Sequence, residues 1–236
     1  MSTNVAKLIV RPNPPPESSR AGRYPLSRWY LRPAADRLAA LLAPTRIRPV
    51  HLTLCGLFSA AAAAGVLLWR PEWMPAAAAL VLVYWFFDRC DGLLARRQNA
   101  VTPFGAWLDA NVDELVDVGL HVAVAALAAR AVAAPWPWFL LIGFVAGKYL
   151  LMYGLTSEEA NGPPQSVSTS PSAFPLPPFL RRLYHLPANA DVRLHLLVLA
   201  LATGYLVPEL ALVAAYYNLR WPLRYLLVAR RLGGTQ

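Results

Sequence analysis

AAAALVLVYWFFDRCDGLLARR, residues 76–97, is the stretch on which the fold turns. It opens as an uncharged run from Ala76 to Phe87 and then places Asp88 and Asp91 where an apolar helix should simply continue. A run of that kind reads as a membrane span with acids at one end. The rest of the 236-residue chain agrees: 57% of residues are hydrophobic, only 15% are charged, and the mean hydropathy is +0.39. Soluble domains usually carry about 25% charged residues. The composition therefore excludes a disordered chain, a basic nucleic-acid-binding domain and an ordinary cytosolic enzyme. The net charge of +9 comes from 22 Lys and Arg against 13 Asp and Glu. All but Lys7 and Lys148 of those cations are Arg, and they flank apolar spans, so membrane lipid and phosphate are the expected partners rather than nucleic acid.

Working outward, six apolar spans are expected near 51–69, 76–95, 107–133, 136–155, 192–207 and 208–228, which makes the chain an all-α polytopic membrane protein. Before them, residues 27–43 repeat Leu31, Ala34, Ala35, Leu38, Leu41 and Leu42 at helical spacing, with Trp29 and Tyr30 near the start. That pattern predicts an amphipathic helix on the membrane surface. The membrane domain thus covers 24–230, between a disordered tail at 1–23 and a short tail at 231–236. The tail holds no apolar run long enough for a signal peptide, only Leu8-Ile9-Val10 before Arg11. Seven of the 22 prolines fall in 156–190, a long connection, while Pro208 is expected to separate the last two spans and Pro222 to kink or end the sixth. Cys55 and Cys90 lie in apolar stretches and read as small fillers. Arginines crowd one side: eight before the first span, then Arg96, Arg97, Arg181, Arg182, Arg193, Arg220, Arg224, Arg230 and Arg231, against Arg70 and Arg130 on the other. The positive-inside bias predicts both termini in the cytoplasm and a multi-pass protein of the cell inner membrane.

Four aspartates interrupt this apolar pattern. An Asp near the centre of a spanning helix costs ~3 kcal/mol on insertion scales, so acids inside spans mark function. Asp88, Asp91, Gly92, Ala95 and Arg96 fall at i, i+3, i+4, i+7 and i+8, one stripe of a helix. Gly105, Asp109 and Asp113 fall at i, i+4 and i+8 of the next. A short connection makes these helices neighbours, so the carboxylates converge. Two divalent cations would balance four negative charges, and oxygen ligands favour Mg²⁺ or Mn²⁺. Gly92, Ala95 and Gly105 leave room beside the ions, and Arg96 offers a fork for phosphate oxygens.

Asp88-x-x-Asp91-Gly92-x-x-Ala95-Arg96, eight residues, then Gly105-x-x-x-Asp109-x-x-x-Asp113 resembles the signature of the CDP-alcohol phosphatidyltransferase family, with all eight fixed positions present. The resemblance implies an interfacial helix and six spans. It also implies transfer of a substituted phosphate from a CDP-linked donor to an alcohol, with release of CMP. Carried onto this chain, it makes Asp88, Asp91, Asp109 and Asp113 the ligands of two Mg²⁺ or Mn²⁺ ions, with Asp113 also the general base. Gly92, Ala95, Arg96 and Gly105 would line the CDP pocket, joined by Thr53. Members often carry Pro-Asn-x-x-Thr at the start of the first span; here it reads Pro49-Val50-His51-Leu52-Thr53, and His51 is the candidate polar substitute for the missing Asn. The family's habits also imply a homodimer.

The chain is shorter than the choline and ethanolamine phosphotransferases, which favours CDP-diacylglycerol as donor. The acceptor would be a small alcohol, phosphorylated or not. Lys148, the Lys inside an apolar span, and Arg193, at the mouth of the fifth, are the candidate acceptor-binding cations. Asp117 continues the Asp109/Asp113 stripe and is expected to bond a ligand or a basic residue, and Glu114 to face an interfacial Arg. Two rival readings use the same carboxylates: an intramembrane Mg²⁺-dependent prenyltransferase, and a non-enzymatic divalent-cation transporter.

Overall fold

A computed structural model describes residues 25–161 and 189–233. The expected tail at 1–23, residues 234–236 of the tail expected at 231–236, most of the 156–190 connection, and with it Arg181 and Arg182, lie outside the described residues, while 231–233 continue the last helix. Among the described residues there are seven α-helices and no strand. They are α1 (Leu31–Leu42), α2 (Pro49–Trp69), α3 (Met74–Arg97), α4 (Pro103–Ala131), α5 (Trp136–Asn161), α6 (Ala190–Thr203) and α7 (Leu206–Gly233). The last six occupy the six stretches read as spans. By length and composition, α2 and the Trp136–Thr156 part of α5 are long and apolar enough to cross a membrane. At 24 and 29 residues α3 and α4 have the length, but each carries acids, after the apolar run in α3 and before it in α4. With 14 residues, α6 spans about 21 Å, short of a bilayer core of about 30 Å.

The helix ends follow local chemistry. Pro49 occupies the first turn of α2, where its missing N–H costs nothing, and the Arg48 backbone N–H donates to His51 Nδ1 at 3.0 Å. The residue standing near the family's missing Asn therefore caps a helix. The Gly105 backbone N–H donates to Thr102 Oγ1 at 3.0 Å at the start of α4. Asn189 Oδ1 accepts from Asp191 N–H at 2.9 Å and caps α6. The break between the last two helices falls before Pro208, not at it: Gly204 takes φ 80°, the left-handed conformation that ends a helix cheaply only in glycine. Pro208 then sits in the first turn of α7, which tolerates it. Pro222 does not end the last helix, which continues to Gly233.

The described residues divide into two compact units. The first holds residues 25–123 and 189–204, and the second holds 124–161 and 205–233. In the first, α3 packs along α2 and also meets α1 and α6. The face that α2 turns to it is built from small residues (Thr53, Gly56, Ser59, Ala60 and Ala63 are buried), so the backbones approach closely. Ser59 Oγ donates to the Leu80 carbonyl at 2.8 Å across that seam. Helix α1 is not solely a surface element: Ala35 and Ala39, one turn apart, are fully buried against Leu52, Cys90 and Leu94. Its other side remains outward, with Leu41 exposed, as is Trp29 in the preceding 3-10 turn. Cys90 is the packed filler expected, whereas Cys55 is exposed.

In the second unit α5 packs against α7. A Cβ at Gly147 would come within 3.1 Å of the Tyr217 backbone, so any larger residue would crowd this approach. Asn218 Nδ2 donates to the Gly143 carbonyl at 2.7 Å, and the Tyr225 hydroxyl donates to the Leu150 carbonyl at 3.0 Å.

Candidate active site

Helices α3 and α4 are joined by the short stretch Gln98–Thr102, in which Asn99 takes a positive φ of 51°. Gln98 Nε2 donates to the Ile47 carbonyl at 2.8 Å, and Arg97 pairs with Asp36 at 2.9 Å. The connection is thereby tied down to α1 and to the approach to α2, and the acid-bearing ends of the two helices are held side by side.

Asp88, Asp109 and Asp113 each offer a carboxylate oxygen, and these atoms lie within 4.8 Å of one another. Three like charges so close repel strongly at any plausible interior dielectric, a repulsion that bound protons or cations relieve. Arg89 supplies one positive charge as the ion-pair partner of Asp88, its guanidinium lying 3.9 Å from the centre of the Trp85 ring. The donor set is all carboxylate oxygen, which suits hard divalent ions such as Mg²⁺ or Mn²⁺. The residues present fit the group that the sequence implies.

Asp91 is 5% exposed, and its Oδ2 accepts a hydrogen bond from Thr53 Oγ1 at 2.7 Å. It stands three residues after Asp88, about 60° around the helix, which turns it toward α2. Thr53, read from the sequence as a donor contact, thus meets Asp91. Gly92 lies beneath the Arg96 guanidinium: a Cβ there would sit 3.5 Å from Arg96 Nη1. Gly105 is crowded by the Thr102 hydroxyl of its own helix cap, at 3.2 Å from an added Cβ. Ala95 is half-buried on the same side of α3 as Asp91 and Gly92, one helical turn further on.

Several residues around the aspartates were not singled out by sequence. The Tyr84 hydroxyl donates to Asp113 Oδ1 at 2.7 Å and so fixes that carboxylate's rotamer. Asp191, wholly buried, accepts from the Leu26 N–H at 2.7 Å, the Ser27 N–H at 3.0 Å and Trp85 Nε1 at 2.9 Å. It pins the segment before α1 and the start of α6 onto the Trp85 indole that carries Arg89. Only Tyr84, one turn before Asp88, left a trace in the sequence as a polar tip within an apolar run.

Of the two expected acceptor cations, Arg193 lies in the first unit and Lys148 in the second. Arg193 donates to Asp117 through Nε at 3.1 Å and Nη2 at 2.9 Å, a two-point pair that gives Asp117 the basic partner its place on the stripe suggested. Lys148 is 7% exposed, with Nζ 5.9 Å from the centre of the Phe144 ring. A cavity of about 110 Å³ opens beside Asp113, walled by Tyr84, Asp117, His121, Arg193 and Leu197 among others.

The sequence profile of the CDP-alcohol phosphatidyltransferase family matches residues 46–226. The chain belongs to that family. It is therefore a membrane-associated transferase enzyme of phospholipid synthesis, and the prenyltransferase and cation-transporter readings fall away. Among solved structures, the crystal structure of Mycobacterium tuberculosis phosphatidylinositol phosphate synthase (PgsA1) with CDP-DAG bound shares the fold. Its TM-score is 0.61 at 19% identity, over 83% of this chain and 93% of that one. No curated protein matches the chain in sequence.

Proposed function

We propose that this family member transfers a phosphatidyl group from CDP-diacylglycerol to a small alcohol and releases CMP. The observation that carries the reading is the meeting of Asp88, Asp109 and Asp113 at one point. The similar fold of a synthase described with CDP-DAG bound supports the choice of donor.

In this reading Asp88, Asp91, Asp109 and Asp113 hold two Mg²⁺ or Mn²⁺ ions. When bound, such ions clamp a diphosphate and offset the charge that builds on the departing CMP. Asp113 Oδ2 accepts the proton of the attacking hydroxyl, while the Tyr84 hydroxyl holds Oδ1 and keeps the carboxylate aimed. Thr53 orients Asp91 through the hydrogen bond already described. Gly92, Ala95 and Gly105 present little bulk to the CDP moiety, and Arg96 meets its phosphate oxygens. Asp117 and Arg193 wall the cavity into which the alcohol enters beside Asp113. The reading includes six membrane spans. The arginine bias turns the site and both termini toward the cytoplasmic face of the inner membrane, and the working unit is a homodimer.

The test is CMP release from CDP-diacylglycerol in detergent with Mn²⁺ or Mg²⁺ and a panel of alcohols. Wild-type protein should release CMP and Asp113→Asn should lose at least 100-fold in kcat, the scale of general-base catalysis. CMP release undiminished in Asp113→Asn, or absent with every alcohol, would refute the assignment.

A further inference from the structure

The cavity beside Asp113 has two properties that bear on what it can hold. It is small: at about 110 Å³ it lies well below the roughly 300–1,000 Å³ of pockets for drug-sized ligands, and it suits a molecule of a few heavy atoms. It is also poor in available positive charge. Its walls carry Asp113, Glu114 and Asp117, and among the described residues the cation lining it is Arg193. Arg193 directs Nε and Nη2 together onto the two oxygens of Asp117, at 3.1 and 2.9 Å. That is the two-point geometry by which a guanidinium would grip a phosphate. His121, the other basic group on the wall, has its Nδ1 2.6 Å from the Asp117 carbonyl and 3.5 Å from the Asp117 carboxylate. Even with Asp113 assigned to the metal site, the remaining carboxylates outnumber the guanidinium. A dianionic phosphate ester entering here would meet like charge and a cation already engaged.

We propose that the Asp117–Arg193 pair makes this cavity select a small acceptor alcohol that bears no phosphate, with Asp117 occupying the guanidinium face that a phosphate would require. The inference rests on the transferase reading and adds to it the chemical class of the acceptor. Asp117 is then a specificity-determining residue, acting through Arg193. A hydroxyl compound without phosphate relies chiefly on hydrogen-bonding partners, which Tyr84, Asp113 and Asp117 provide, and it brings no net negative charge to be neutralised.

The experiment offers the purified full-length protein, with CDP-diacylglycerol and Mn²⁺, alcohols in matched pairs. These are glycerol against glycerol phosphate, inositol against inositol phosphate, and serine against phosphoserine, with CMP release and product mass as readouts. The unphosphorylated member of the productive pair should have a kcat/KM at least 10-fold higher. CMP release confined to, or faster with, the phosphate esters overturns the inference while leaving the transferase reading intact. Release with none of the six overturns both. In Asp117→Asn, which relieves Arg193 of its counter-charge, the ratio of phosphorylated to unphosphorylated kcat/KM should rise at least 10-fold. Asp117→Glu should keep the wild-type preference. A folded Asp117→Asn protein with an unchanged ratio refutes the role of the pair. Should that variant not fold, the wild-type ratios alone decide.

Discussion

Replacing Asp191 by Ala should destabilise the first unit more than any single change at the metal-binding aspartates. Asp191 is wholly buried and serves three donors: the backbone N–H groups of Leu26 and Ser27 and the indole N–H of Trp85. Alanine leaves all three without this acceptor, and a buried donor left unsatisfied costs about 1–3 kcal/mol. Leu26 is partly exposed, so water can serve its N–H, and a loss of about 3–5 kcal/mol is the reasonable sum. For chains of 150–250 residues each kcal/mol moves Tm by about 2–4 °C, which predicts a fall of roughly 6–20 °C. Asp191→Asn keeps one acceptor oxygen and should lose less than half as much. The assay is thermal unfolding in a mild detergent, followed by tryptophan fluorescence and by the temperature at which CMP release is lost. A double-mutant cycle with Trp85→Phe isolates the indole bond, and a coupling of about 1 kcal/mol is expected for partners in direct contact. Asp191→Ala within 2 °C of wild type, or additive behaviour in the cycle, would refute the idea that this carboxylate pins three segments together.

Three further outcomes follow from the geometry. Thr53→Val keeps the side-chain volume but removes the hydroxyl that donates to Asp91; leaving a buried carboxylate one bond short should lower kcat/KM about 10-fold, with circular dichroism unchanged. Tyr84→Phe deletes the hydrogen bond that aims Asp113, and since bonds to charged groups contribute about 1.5–3 kcal/mol, kcat should fall 10-fold or more while the KM for CDP-diacylglycerol stays within about 2-fold. Gly147→Ala drives a methyl group to within 3.1 Å of the Tyr217 backbone, so overpacking between α5 and α7 should cost about 1–3 kcal/mol, read as a lower Tm with little change in the KM of either substrate.

What local chemistry dictates was legible from residue order alone. Apolar runs of spanning length dictate helices, because a backbone in lipid must satisfy its own hydrogen bonds. Asp88, Asp109 and Asp113 could be brought together on paper because two fixed periods and a short connection leave little freedom. Boundaries are not fixed by residue order alone: Pro208 is the expected break between the last helices, but Gly204, with its left-handed backbone, is the residue that ends α6.

The partners of the acids were decided elsewhere, by contacts that span the chain. Asp191 meets Leu26 across 165 residues, Arg193 meets Asp117 across 76, and Thr53 meets Asp91 across 38. Helical periodicity assigns a residue to a face but says nothing about which distant helix will lie against that face. Thr53 was read as a substrate contact from the family resemblance, and Arg193 as a cation for phosphate from its charge at the mouth of a span. Packing gives each of them a carboxylate partner. The sequence on its own determined that acids would gather at the mouth of an apolar bundle, since spacing and hydrophobicity are local quantities. Which side chains steady those acids, and how much positive charge is left for an incoming alcohol, depended on three-dimensional neighbours, because hydrogen bonds and ion pairs act over only a few ångströms and the chain must fold before they can form.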